Sequence, residues 1–250
     1  MMEPVFAPFE KFLLAVDKRT FYRWLRRDYP GSGLLRYVGG CLFWLAYARR
    51  PYVGTRVVEI PWLMSRLKSA SIRKEKMLVV GDVVTRKLAD MGYDVDLVDM
   101  DAEVVSDSHL RVQKLDIRQA KLPQGVFDVV VSISTLEHVG VQGVEFADGD
   151  RLAAKLIYDA MKPGGLFLVT VPFGKPYTVK GFTRIYDLKG LHNILDDCFT
   201  VEEETFYVWS GFSWKRANLE TAQKAGFLAN NPDRYPGQNL GLALVMARKK

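Results

Sequence analysis

Cysteine and histidine are scarce in these 250 residues: only Cys41 and Cys198, and only His109, His138 and His192. Two distant cysteines give neither a disulfide framework nor a metal-ligand spacing, and three scattered histidines argue against a zinc cluster. Long apolar runs are missing from the basic N-terminal third. Its stretch Val38 to Ala48 has 11 residues, where a bilayer span takes about 20. Glycine is thin where a dinucleotide would need it. After Gly81 the chain reads Asp82-Val83-Val84-Thr85-Arg86, one glycine of the three in G-x-G-x-x-G, and the Val83 side chain would hinder backbone approach to a pyrophosphate. A nicotinamide or flavin dinucleotide is therefore disfavoured. Internal repeats and low-complexity tracts are absent, and no signal-peptide pattern is readable, so a reducing cytoplasm is the expectation.

Acidic residues are few in the first third. Residues 1–75 hold 14 lysines and arginines against 6 acids, whereas the other 175 hold 21 against 23. The whole excess of the +6 net charge thus lies ahead of the first apolar strand pattern, which suggests two functional zones. Residues 1–53 read as a basic, aromatic helical extension, with Trp24, Phe43, Trp44 and Tyr47 among its arginines. Such a segment packs as a cap with its Arg stems snorkelling to water, or it meets an anionic membrane surface. No nucleic-acid recognition module is readable in it.

Beyond the extension, apolar runs and helical periods alternate regularly. Glu59 to Leu67 reads as a short helix with Pro61 in its first turn. Met77 to Val80 is an apolar run stopped by Gly81, then Val84, Leu88 and Met91 recur at helical spacing up to Gly92, a C-cap position. A second run, Val95 to Val98, ends in Asp99. A carboxylate at that strand tip, about 20 residues after the turn, suits a ribose diol. Arg111 to Leu115 gives a third strand ending at Asp116 and Ile117, and Phe127 to Ile133 a fourth whose unbroken apolar character suits a strand buried on both faces. A helix from about Asp150, with Leu152, Leu156 and Ile157 inward, ends at Lys162-Pro163-Gly164-Gly165. Strands Leu166 to Val171, Phe199 to Val208 and Leu240 to Ala247 complete the pattern, with Glu202-Glu203-Glu204 and Lys249-Lys250 read as solvated. The expectation is an α/β fold: a doubly wound, mostly parallel sheet over residues 54–250.

Several segments carry a family resemblance: Phe127-Asp128-Val129-Val130-Val131-Ser132 with Leu136-Glu137-His138-Val139, Met161-Lys162-Pro163-Gly164-Gly165 with the run to Pro172, Gly92-Tyr93-Asp94-Val95, and Arg184-Ile185-Tyr186-Asp187. The chain resembles class I S-adenosylmethionine-dependent methyltransferases, in particular members acting on small molecules or sugars. The resemblance implies a Rossmann-like sheet of seven strands, the last antiparallel, with S-adenosylmethionine as cofactor. It further implies that Gly81 lies under the cofactor's methionine part, that Asp99 binds its ribose, and that Asp116 and Ile117 hold its adenine edge. Ser132 and Ser134 would contact the cofactor, and the segment up to His138 would line the methyl-transfer site. The chain departs from the family's first motif: Val79 stands where an acid is usual and Val83 where a glycine is. Asp82 is the candidate to replace that acid.

Methyl transfer from a sulfonium depends mainly on alignment, and a base is needed only for an acceptor that must lose a proton. His138 is the candidate base, its alternative role being to orient the loop. The acceptor is expected to be a small molecule or lipid-linked. The alternative reading is a methyltransferase fold that has lost its cofactor and serves as a scaffold or membrane-surface binder. A nucleotide-dependent oxidoreductase is a more distant one.

Overall fold

The computed structural model describes residues 54–72, 75–142, 145–195, 198–210, 213–226 and 241–250. The helical extension expected over residues 1–53 lies outside these. The apolar runs become parallel strands: β1 (Lys76–Val80), β2 (Asp94–Val98), β3 (Leu110–Gln113), β4 (Phe127–Ile133) and β5 (Met161–Pro172). A short antiparallel hairpin of β6 (Tyr177–Val179) and β7 (Thr183–Ile185) stands apart from them. The strand β8 (Phe199–Trp209) pairs antiparallel with β9 (Trp214–Ala217) and with β10 (Gly241–Lys249), which inserts antiparallel beside β5. The sheet order is β3-β2-β1-β4-β5-β10-β8-β9.

The antiparallel closing strand is as expected, but the sheet has eight strands rather than seven. The extra one is β9, a four-residue edge segment, Trp214-Lys215-Arg216-Ala217, whose sequence has no alternation to announce it. The strand β5 also starts earlier than the apolar run: Met161 already pairs with Phe127, and residues 162–165 bulge out before Leu166 meets Val129.

Side-chain alternation along the strands divides the core in two. On one face Met77, Val79, Val129 and Val131 meet Trp62, Leu63 and Leu67 of α1 (Arg56–Ser69) and Leu88 of α2 (Thr85–Asp90). On the other, Leu78, Val80, Val130 and Phe167 meet Ala153, Ala154 and Ile157 of α3 (Gly149–Ala160) and Leu191 of α4 (Leu188–Leu195). A fifth helix, α5 (Leu219–Gln223), adds Ala222 to this second face. Since β4 is covered on both sides, each valine from Val129 to Val131 is fully buried. Truncating a buried aliphatic side chain to alanine costs about 2–5 kcal/mol at the larger end of the range.

Some local expectations change. α1 begins at Arg56, so Pro61 falls inside it; Thr55 makes no capping bond that would mark the start. Leu152 is exposed, because α3 packs on the sheet through the small residues Ala153, Ala154 and Ala160 together with Ile157. Met91 is exposed as well, since α2 ends at Asp90, while Gly92 takes the left-handed φ of +89° anticipated at the cap. The late charges are paired rather than simply solvated. Glu203 binds Arg66, Glu204 binds His192 and Glu202 binds Arg248, and Lys249 donates to the carbonyls of Tyr158 and Met161.

Candidate active site

The sheet order reverses direction at β1, between β2 and β4, and ligands of open α/β sheets bind beyond the carboxyl ends of strands at that point. A cleft lies there. Its floor depends on Gly81, which has φ +93°. A Cβ at Gly81 would also fall 2.0 Å from Thr135 Oγ1. Two independent constraints therefore demand glycine at this one position, whereas Val83 lines the cleft where the family pattern has a second glycine.

Asp99, at the tip of β2, is a hub. Its Oδ2 accepts from the Asp82 N–H at 2.7 Å and its Oδ1 from the Asp101 N–H at 2.6 Å. Asp82 in turn accepts from the Glu103 N–H at 3.2 Å. Each carboxylate oxygen offers a second lone-pair direction, so these bonds fix Asp99 without exhausting it. Asp116 caps the 3-10 turn Ile117–Gln119 and is forked by Arg118, at 3.0 Å from Nε and 2.5 Å from Nη2. The Arg118 hydrogen bond holds the Asp116 carboxyl below the usual carboxylate range, despite partial burial. Ile117 is buried and supplies an apolar wall. Asp82, Asp99, Asp101 and Asp116 all line the cleft, and no lysine or arginine does so among the described residues. That lining favours a ligand with cationic character over a pyrophosphate.

The β4 side is built differently. Ser132 does not reach the cleft, which corrects the sequence-based expectation. It lies abreast of Val80 and Val169 in the sheet, is fully buried, and its Oγ has no partner among the described residues. The strand continues through Ile133 before turning, so the residue at the edge is Ser134. Ser134 takes a left-handed φ of +43°, and its hydroxyl donates to Glu59 of α1.

His138 sits on a 3-10 turn, Leu136–His138, and lines the cleft. Its Nδ1 lies 2.5 Å from the Phe182 carbonyl oxygen, which also accepts from Gln142 Nε2 at 2.9 Å. A carbonyl oxygen can only accept, so Nδ1 carries the hydrogen. Nε2 is left with the lone pair, 3.8 Å from Glu137 Oε1. Burial lowers the His138 pKa and keeps the ring neutral at pH 7. Burial, reinforced by nearby Glu59, pushes Glu137 up to about 8, so its carboxyl is protonated at that pH. Its Oε2 has no hydrogen-bond partner among the described residues.

The motif residue Arg184 is a tie. It donates to the carbonyls of Val139 at 2.6 Å, Phe146 at 3.2 Å and Ala147 at 2.8 Å, fastening the loop after His138 to β7. Tyr186 donates to Asp150 Oδ2 at 2.7 Å on the same side. The structure thus brings Gly81, Asp82, Asp99, Asp116, Ile117, Ser134 and His138 to one cleft. Sequence reasoning missed Met100, half-exposed beside Asp99; Thr135, opposite Gly81, lies in the segment up to His138 that the resemblance places at the site. The only signal for Met100 is its place between two acids at a strand tip.

Residues 80–169 match the family model described as a methyltransferase domain. No curated protein sequence matches the chain. Among solved structures, it is similar to the 1,6-didemethyltoxoflavin-N1-methyltransferase of Burkholderia thailandensis with bound 1,6-didemethyltoxoflavin and S-adenosylhomocysteine. The identity is 17%, 89% of this chain and 93% of that one are covered, and the TM-score is 0.52. It is also similar to the [4+2]-cyclase SpnF, at 16% identity over 74% of this chain and 80% of that one, with a TM-score of 0.50. At such identities the likeness is one of fold, and a cyclase among the neighbours shows that the fold alone does not name the reaction. Residues 80–169 thus match a methyltransferase domain, and they lie in a doubly wound sheet closed by the antiparallel β10, the fold this chain shares with those structures.

Proposed function

We propose that the chain binds S-adenosylmethionine in this cleft and transfers its methyl group to a small-molecule acceptor. The observation that carries the reading is Asp99, held at the tip of β2 by two backbone N–H groups inside a cleft lined by four carboxylates. When bound, the cofactor supplies a methyl group already activated by its sulfonium. The acid lining suits that positive charge, Asp99 offers acceptors to the ribose hydroxyls, and Met100 and Ile117 offer apolar surface to the adenine. Asp82 is the carboxylate assigned to the cofactor's amino group. His138 Nε2, the ring nitrogen without a hydrogen, is the base for an acceptor that must lose a proton. A thermal-shift titration with S-adenosylmethionine, S-adenosylhomocysteine and NAD tests the reading. Stabilisation by the first two but not by NAD is the expected outcome, and no response to either sulfur compound overturns it.

The single glycine of the β1 turn favours a second reading, a fold without cofactor that works as a scaffold or at a membrane surface. The same titration separates the two. No described helix is long and apolar enough to cross a membrane. We treat residues 1–53 as an extension distinct from the methyltransferase domain of residues 54–250, working in the cytoplasm and peripherally at an anionic leaflet. Each basic residue near such a leaflet contributes on the order of 1 kcal/mol, screened by salt. The protein is expected to sediment with anionic but not neutral liposomes and to be released by salt. Equal behaviour on both kinds would reduce the extension to a cap.

A further inference from the structure

Glu59 lies outside every segment that carries the family resemblance, yet it is fully buried and almost completely engaged. Its Oε1 accepts from Ser134 and from Thr170 Oγ1, the latter at 2.6 Å, while Oε2 is paired with Arg56. Thr170 completes a ring of bonds. Its Oγ1 and its carbonyl oxygen each accept from the Ser134 N–H at 3.0 Å, so that Ser134 is held through both its backbone and its side chain.

Ser134 needs this restraint. A left-handed φ on a residue other than glycine persists only where the surroundings over-determine it. That conformation has consequences for the cleft. The next residue, Thr135, sets its side chain into the space above Gly81. The Thr135 carbonyl accepts from the His138 N–H at 3.0 Å and so starts the turn that carries His138. One carboxylate on α1 thus reaches both walls of the cleft without lining it.

We propose that Glu59 is a positioning residue for the cofactor cleft, holding Ser134 in the left-handed conformation that sets Thr135 against Gly81 and orients the His138 turn. The cofactor part of this proposal rests on the reading of the cleft as an S-adenosylmethionine site. The Glu59–Ser134 coupling does not.

The test uses the full chain and two readouts, calorimetric S-adenosylhomocysteine affinity and the melting temperature. Glu59→Ala is expected to weaken affinity about tenfold or more, the size of one charge-assisted bond. Adding Ser134→Gly should restore most of the affinity and raise the melting temperature, because glycine takes the left-handed conformation without a tether. Adding Ser134→Ala should do neither. A merely structural role for Glu59 would leave glycine no better than alanine at position 134. Should the alanine variant not be recovered in soluble form, Glu59→Gln, which keeps one oxygen for the two hydroxyls, carries the same comparison. Unchanged affinity in the Glu59 variants, or no selective rescue by glycine, overturns the proposal. If the wild type fails to bind S-adenosylhomocysteine, the donor reading falls and with it the cofactor role of Glu59. Selective rescue of the melting temperature by glycine still decides the coupling.

Discussion

The two walls of the cleft are held by opposite means. On the β1–β2 wall, carboxylates accept from backbone N–H groups of neighbouring turns: Asp99 from Asp82 and Asp101, Asp82 from Glu103. On the β4 wall, side chains reach across the fold. Ser134 reaches Glu59, His138 reaches the Phe182 carbonyl, and Arg184 reaches Val139. The first wall is lined by carboxylates, while on the second burial raises the Glu137 carboxyl and lowers His138. Under the function proposed above, the first wall holds the cofactor and the second handles the acceptor.

Substitutions on either wall put that division of labour to the test. The largest effect is expected from His138→Ala, which should reduce turnover about 10²–10⁴-fold while leaving S-adenosylhomocysteine affinity nearly intact. Rate and affinity falling together would make His138 a strap for the β6–β7 hairpin instead. Asp99→Ala should act on the other wall alone, weakening S-adenosylhomocysteine by about 1.5–3 kcal/mol. Calorimetry on both proteins reads this, and equal affinities would remove Asp99 from the site. Gly81→Ala is where the walls touch. The left-handed φ and the Thr135 contact together should lower unfolding stability by about 1–3 kcal/mol, measured by chemical denaturation, and a neutral change would mean that the walls are not interlocked.

The smallest effect is one of slope. The Glu137 carboxyl is raised from 4.5 to about 8 by burial, so the folded state keeps a proton that the unfolded chain has released. Its contribution to stability is full below about pH 4.5 and is lost as pH rises to about 8. His138 is shifted down by burial, so its contribution has the opposite sense: stability is lost as pH falls below the ordinary histidine value of about 6.5. Melting temperatures of Glu137→Gln across pH 5 to 8 should fall less with rising pH than those of the wild type. Parallel curves would place the Glu137 titration outside this window.

The same contrast explains what could be read ahead of the structure. Gly81 and Asp99 directly follow β1 and β2, and Asp116 comes shortly after β3, so locating these strands in the sequence comes close to locating the residues. Ser132 entered through the family resemblance and not through periodicity, which ends β4 at Ile133 as the structure does and so keeps Ser132 inside the strand. The edge strand β9 and the packing of α3 through alanines escaped because neither shows a large apolar side chain at the expected spacing.

Sequence alone was enough for the alternation of strands and helices, the glycine at the first turn and the acids beyond β1, β2 and β3. Those follow from local hydrophobic period and backbone geometry, which act over a few residues. It took the folded chain to bring Glu59 to Ser134, 75 positions later, and His138 to Phe182, 44 positions later. Whether a buried carboxyl keeps its proton or shares a hydroxyl depends on desolvation and on partners brought in by chain crossover, and neither is written in the spacing of neighbouring residues.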